Sequence, residues 1–124
     1  MPKDTEYDLE GRLIRFAVRI IRVAEALPDT KVGKHIRGQV LRCGTSAAPN
    51  YGEAQSAESR SDFIHKIKIV LKELRETRVW LVMIVQAGLL KSDDLESLIQ
   101  ECDELISIFV KSAETAERNK RKRS

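Results

Sequence analysis

The sequence predicts an all-α protein, an antiparallel up-down-up-down four-helix bundle whose second helix is kinked near Pro49. Apolar residues recur every three or four positions in four long segments, which is the spacing of one helix face. The 124 residues include only three prolines and six glycines, too few for the frequent turns of an all-β fold. Connections of roughly three to five residues between the segments favour antiparallel neighbours.

The first predicted helix ends at Leu27, because Pro28 disfavours helical backbone in the residue before it. A regular apolar face runs along its whole length and predicts burial on one side. The residues of this face are Leu9, Leu13, Phe16, Ile20, Val23 and Leu27.

The second predicted helix changes character halfway along. Its apolar positions are Val32, Ile36, Val40, Cys43 or Gly44, Ala47, Tyr51 and Ala54. From Cys43 to Ala54 these residues are mostly small, which allows a neighbouring backbone to approach closely. Pro49 lacks a backbone N–H and clashes with the preceding turn, so a kink or interruption is expected there.

The third predicted helix starts with Ser59 or Ser61 as its N-cap and Asp62 in its first turn. Gly88 has the usual position of a glycine at a helix C-terminus. The core face comprises Phe63, Ile67, Val70, Leu74, Leu81 and Ile84, and Ile64, Leu71 and Val85 widen it.

The fourth predicted helix begins at Ser92, where Asp93 and Asp94 favour the N-terminal end of the helix dipole. Its core face comprises Leu95, Leu98, Cys102, Leu105, Phe109 and Ala116. The apolar faces of the third and fourth predicted helices are wider than one core seam requires. Apolar surface left over on a monomer predicts a subunit interface, so we expect a homo-oligomer.

The chain is expected to form one bundle domain over residues 1–117, followed by a basic, disordered tail over residues 118–124. No apolar run is long enough to span a bilayer, and the N-terminus lacks the apolar core of a signal peptide. We therefore expect a cytoplasmic protein without membrane contact. Cys43 and Cys102 lie on apolar helix faces, which favours buried reduced thiols over a disulfide.

Charge is strongly segregated along the chain, although the net charge is only +3. Residues 31–91 carry eleven basic and five acidic side chains, whereas residues 92–117 carry eight acidic side chains and one lysine. This pattern indicates charge matching within or between subunits.

Metal and catalytic sites find little support in the sequence. A di-iron bundle needs repeated Glu-x-x-His pairs, but Asp62 and His65 give that spacing once and His35 follows Val32. Glu73 and Glu76 share a face of the third predicted helix and could form a carboxylate pair, for which a structural ion pair is the favoured interpretation over acid–base catalysis. We expect no enzyme activity, no metal and no cofactor.

Nucleic-acid binding is the stronger hypothesis, because arginines recur at spacings of three and four along one side of the first predicted helix. Rows of arginine can bind backbone phosphates, although pairing with the acidic fourth helix or simple solvation remains an alternative. Basic residues also occur along the third predicted helix. The candidate nucleic-acid-binding residues are Arg12, Arg15, Arg19, Arg22, Lys31, Lys34, Arg37, Arg121 and Arg123.

The chain resembles the four helix bundle protein family, whose members were first noticed in intervening sequences of bacterial 23S ribosomal RNA genes. The resemblance covers roughly residues 9–110. It is carried by an ordered series of short segments: Leu27-Pro28, Gln39-Val40-Leu41-Arg42, Ser46, Pro49-Asn50-Tyr51-Gly52-Glu53-Ala54, Ser59-Arg60-Ser61-Asp62-Phe63 and Leu71-Lys72-Glu73-Leu74-Arg75-Glu76.

The family is similar in fold to the accessory variability protein of diversity-generating retroelements, a pentamer that binds nucleic acid and a reverse transcriptase. The resemblance implies a homopentamer that binds structured RNA or an RNA–DNA hybrid, as an accessory to a reverse transcriptase or ribonucleoprotein. It also implies a structural polar network formed by Gln39, Arg42, Asn50, Glu53, Glu73 and Glu76. The alternative is an assembly or scaffold module that binds a protein partner and uses the arginines in intersubunit salt bridges.

Overall fold

The computed structural model describes residues 8–123 of the chain and the side chains of residues 8–122. These residues form five α-helices and, in the described range, no strand. The helices are α1 (Leu9–Ala26), α2 (Lys31–Gly44), α3 (Ala47–Gln55), α4 (Arg60–Gln86) and α5 (Ser92–Arg123). Because α2 and α3 both pack against α1 and α4, together they occupy one position of a four-helix bundle, as the sequence predicts.

For each pair of neighbouring helices, the residue numbers of the contacting residues rise along one helix and fall along the other. Between α1 and α2–α3 they include Ala24–Arg37 and Ile20–Gly44, and between α2–α3 and α4 they include Arg42–Glu76 and Glu53–Lys66. Between α4 and α5 they include Arg78–Asp103 and Lys68–Glu117, and between α5 and α1 they include Arg12–Glu104 and Arg19–Ser97.

Side chains in the loops before α2 and α4 form hydrogen bonds with backbone groups that have no partner within the helix. Thr30 caps α2 by accepting a hydrogen bond from the Gly33 N–H at 3.0 Å, and Ser59 caps α4 in the same way. At the end of α4, Gly88 has a φ of +69°, a backbone conformation that glycine adopts without steric cost. The sequence therefore locates the two ends of α4 correctly.

The interruption of the second helix lies at Thr45 and Ser46, which precede the predicted kink at Pro49 by four and three residues. Pro49 is the third residue of α3, where a backbone N–H has no partner within the helix, so its missing donor costs nothing. Gly44 lies directly against α1: a Cβ atom there would come within 2.6 Å of Ile20 Cγ2. The small residues thus serve close packing before the break, and the proline begins the next helix.

The core lies between all five helices and follows the predicted faces closely. Val32 is an exception, because the second residue of α2 is 57% exposed. Fully buried large side chains come from α1, α2, α4 and α5. They are Leu13, Phe16, Ile20, Val40, Ile67, Leu74, Leu81, Ile84, Leu95, Leu98, Leu105 and Phe109.

The end of α5 differs from the expected disordered tail, since the helix continues to Arg123. Ala116 is still buried against the bundle, and Glu117 is bonded to Lys68 of α4 at 2.8 Å. Glu114 and Glu117 also stand four residues before Arg118 and Arg121, a spacing that stabilises a helix. Basic side chains at a helix C-terminus are further favoured by the helix dipole.

Both cysteines are free and buried. Burial raises the pKa of Cys43 and raises the pKa of Cys102 to about 12. Since the thiolate is the reactive form, we expect neither thiol to react with a disulfide reagent in the native protein at mildly alkaline pH. Denaturant should expose two reactive thiols per chain, measured by absorbance. Rapid labelling of either thiol without denaturant would contradict this packing.

Candidate nucleic-acid interface

The four arginines of α1 (Arg12, Arg15, Arg19 and Arg22, the α1 arginine row) have different environments. Arg12 makes a two-point contact with Glu101 of α5, from Nε at 3.1 Å and from Nη2 at 2.7 Å. Its side chain is only 13% exposed, and the hydrogen bond with Glu101 raises the pKa of Arg12. Arg12 therefore joins α1 to α5 and is not placed to bind an external phosphate.

The other members of the α1 arginine row are more accessible. Arg19 donates to the Ser97 hydroxyl at 2.7 Å, while Arg15 is 58% exposed and lies 3.8 Å from an Asp8 oxygen. Arg22 is exposed and forms no ion pair with the part of the chain that the structure describes. Arg15 and Arg22 are two turns apart, about 10 Å along the helix axis, and both are available to a polyanion.

The predicted basic residues of α2 also divide into structural and exposed groups. Arg37 donates from Nε to the Ala24 carbonyl and from Nη2 to the Leu27 carbonyl, both at 3.0 Å. It thereby satisfies acceptors left over at the C-terminus of α1. Lys34 is exposed and 3.6 Å from Asp29, and Lys31 is exposed.

The basic end of α5 contributes Arg121, which is exposed and helical. Its charge helps to lower the pKa of Glu117, after the larger effect of Lys68. The side chain of Arg123 lies outside the described residues.

Four of the six residues assigned to a polar network lie together between α2 and α4. Arg42 is bonded to Glu76, lies 3.6 Å from a Glu73 oxygen, and donates to Gln39 at 3.4 Å. Trp80 donates from its indole N–H to Glu76 at 3.2 Å. The two glutamates are therefore held by one arginine, an arrangement that supports helix pairing rather than proton transfer.

The other two residues of that network lie at α3 and make separate contacts. Asn50 donates from its amide nitrogen to the Ser46 carbonyl and hydroxyl, both at 2.9 Å, and so closes the first turn of α3. Glu53 contacts Lys66 of α4 at 2.6 Å. These residues secure the interruption and hold α3 against α4.

Metal-binding geometry is absent from the described residues, since no group of three or more of their His, Cys, Asp or Glu side chains is placed to hold an ion. Both histidines are exposed, and His35 packs edge-on against Trp80 with ring centroids 6.0 Å apart. None of the described helices combines the length and apolar character that crossing a membrane requires.

The arginines of α1 and α4 have acidic partners in α5, and the spacing of the arginines along the sequence does not predict these pairs. Glu101 engages Arg12, and Asp103 contacts Arg78 of α4 at 2.5 Å. The acidic excess of residues 92–117 was the available signal, but it does not say which arginine each carboxylate meets. Only the ion pairs in the folded structure show which basic side chains hold helices together and which remain exposed to bind a ligand.

Comparisons with known proteins find a matching protein family and similar solved structures. The model of the family described as 23S rRNA-intervening sequence protein matches residues 6–111. A solved structure of a protein with unknown function from the S23 ribosomal protein family of Bacteroides thetaiotaomicron is 31% identical, with a TM-score of 0.80. That match covers 85% of this chain and 97% of the other. No curated protein matches the chain.

Proposed function

The chain belongs to the 23S rRNA-intervening sequence protein family, and on this basis we propose that it is a non-enzymatic, homo-oligomeric protein that binds the phosphate backbone of structured RNA or an RNA–DNA hybrid. Its role would be that of an accessory to a ribonucleoprotein or a reverse transcriptase. The names of the family and of the solved relative refer to ribosomal RNA and to a ribosomal protein, which supports RNA as the polymer.

The observation that carries the proposal is the set of basic side chains that remain exposed on the assembled bundle. Arg12 and Arg37 are used within the bundle, but Arg15, Arg22 and Lys31 are exposed on the neighbouring helices α1 and α2. Exposed arginine and lysine bind phosphate and release its counterions, which gives affinity without sequence recognition. Aromatic residues are only 5% of the chain, so stacking on bases is not a main source of affinity.

Exposed apolar side chains support an oligomer. Three of them (Ile14, Val18 and Ile21) follow one another along the outer side of α1, and the others are Val32 of α2 and Val79 and Met83 of α4. The exposed apolar surface thus lies mainly on α1 and α4, whereas the sequence predicts surplus apolar surface on α4 and α5. Contiguous apolar side chains rimmed by charge are typical of subunit interfaces, and the resemblance to a pentamer makes five subunits our proposed number.

A scaffold module that binds a protein partner is the second candidate. It is favoured because Arg15 and Arg22 flank the exposed apolar side chains of α1, where a subunit or partner would pack. In that case the arginines would bind acidic groups of a neighbouring subunit or of a protein partner. The two candidates predict different outcomes when these two side chains lose their charge.

For RNA binding, log affinity falls as log salt concentration rises. We expect R15Q and R22Q each to make this slope less steep by about one, because each removes one phosphate contact. A mobility-shift titration at two salt concentrations measures this, and K91Q, which removes an exposed charge at the α4–α5 turn, is the matched control. Light scattering on the double variant R15Q/R22Q should show an intact oligomer. Dissociation of the oligomer with unchanged RNA binding per folded chain would favour the scaffold instead.

A further inference from the structure

A second row of cations lies on α4, in the groove that this helix forms with α5. Lys68, Lys72 and Arg75 (the α4 basic row) follow one another at spacings of four and three residues, which places them on one side of the helix. They line a groove of about 510 Å³. The row spans about 10 Å along one continuous helix, so its charges are held at fixed intervals.

Most of this charge is not neutralised within the chain. Lys68 contacts Glu117 at 2.8 Å, but Lys72 and Arg75 are exposed and form no ion pair with any residue from 8 to 122. The α1 arginine row differs, because Arg12 is bound to Glu101 and Arg19 to Ser97.

The basic surface continues beyond the α4 basic row towards the end of α5. A second groove of about 340 Å³ shares Lys68 and Glu117 with the first and is also lined by Lys120 and Arg121. The pKa of Glu117 is lowered chiefly by its hydrogen bond with Lys68 and further by Arg121 and Lys120. The two grooves therefore form one extended positive surface, in which Glu114 and Glu117 are the acidic members.

We propose that this α4–α5 groove is a second phosphate-binding surface, which takes the backbone of duplex RNA. The proposal rests on the function proposed above and names a further contact region for the same ligand. One subunit would then contact the polymer through two separate sets of cations, the α1 arginine row and the α4 basic row.

The composition of the groove favours a polyphosphate over an acidic peptide. A docked helical peptide needs apolar pockets for its anchoring side chains. Of the apolar residues that line the groove, Leu71 and Ala113 are buried and Val110 is partly buried against the core. None of the exposed large apolar side chains found among the described residues lines this groove. The groove instead presents charge at regular intervals, which matches a nucleic-acid backbone.

The test is the affinity of the full-length protein for an RNA duplex of about 20 base pairs at about 50 and 200 mM salt. We expect K72Q/R75Q to bind about tenfold more weakly at the lower salt concentration. The slope of its log affinity against log salt concentration should be less steep by about two. We expect E114Q, which removes a negative charge from the same groove, to bind about twofold to fivefold more tightly. Circular dichroism checks that each variant is folded, and all substituted side chains are exposed.

Three results would count against the proposal in distinguishable ways. Failure of the unaltered protein to bind RNA at low salt would overturn the proposed function itself. Weaker binding by R15Q/R22Q together with unchanged binding by K72Q/R75Q would overturn the second surface and leave the function standing. Binding of polyglutamate, lost in K72Q/R75Q, with no change in RNA affinity would assign the groove to an acidic protein partner.

Discussion

Replacing Gly33 by alanine is expected to destabilise the protein by about 2–3 kcal/mol, because the new side chain overlaps the backbone of the preceding loop. A Cβ atom at Gly33 would lie 1.9 Å from the carbonyl oxygen of Pro28. Backbone atoms cannot rotate away as the end of a side chain can, so the turn between α1 and α2 would have to open. The Thr30 cap, which accepts from the Gly33 N–H, would be displaced with it.

The same substitution at Gly38 provides the matched control on the same helix. Gly38 is exposed, and a Cβ atom there would meet nothing within 4 Å. Alanine should stabilise the protein by about 0.5–1 kcal/mol at this position, since glycine in a helix interior costs that much relative to alanine. Urea unfolding followed by circular dichroism measures both changes, and equal effects of G33A and G38A would contradict the described α1–α2 turn.

Replacing Phe109 by alanine should cost about 3–5 kcal/mol, the largest loss expected from a single substitution in the core. Phe109 of α5 is fully buried, and its ring packs edge-on against Tyr51 of α3 with centroids 5.4 Å apart. Because a domain of this size is stable by only about 5–15 kcal/mol, the variant should unfold at much lower urea concentration.

F109L, which keeps most of the buried volume, should lose far less stability than F109A. The free energy of unfolding of both variants is measured by the same urea titration. If F109A lost less than about 1 kcal/mol, the Phe109 ring would not be buried in the core as described.

The core could be predicted from the sequence because helix periodicity fixes which side faces inward. In α5 the six predicted positions from Leu95 to Ala116 are all buried, and Ser59 and Gly88 mark the two ends of the α4 segment. These are local signals, and they act over one or two helical turns. Val32 does not follow the pattern: it lies in the first turn of α2 and is exposed.

The position of the interruption could not be read from Pro49 alone. A proline is harmless in the first turn of a helix and disruptive later, so its effect depends on where the helix begins. That point is set by Ser46, whose carbonyl and hydroxyl both accept from Asn50, and by the approach of Gly44 to Ile20. Beyond residue 117, where the sequence predicts a disordered tail, the described chain is helical, and a contact with α4 through Lys68 supports the last turns of α5.

The candidate interface could be predicted only as a set of basic residues. Spacing places Arg12, Arg15, Arg19 and Arg22 along one side of α1, but spacing does not reveal that Glu101 lies opposite the first of them. That carboxylate is 89 positions away along the chain, so the pair forms only after the bundle is assembled. Tertiary pairing thus selects which cations remain exposed, and it leaves Lys72 and Arg75 of α4 as well as Arg15 and Arg22 of α1.

Binding of unaltered protein to duplex RNA across a series of salt concentrations is the most direct test of the proposed phosphate-backbone function. With Arg15, Arg22, Lys72 and Arg75 as contacts, log affinity should fall linearly with log salt concentration, with a slope of about −3 to −4 per subunit. Sequence changes in the duplex should leave the affinity nearly unchanged, because phosphate contacts carry no base information. An absence of binding at low salt, or an affinity that does not depend on salt, would contradict binding through the phosphate backbone.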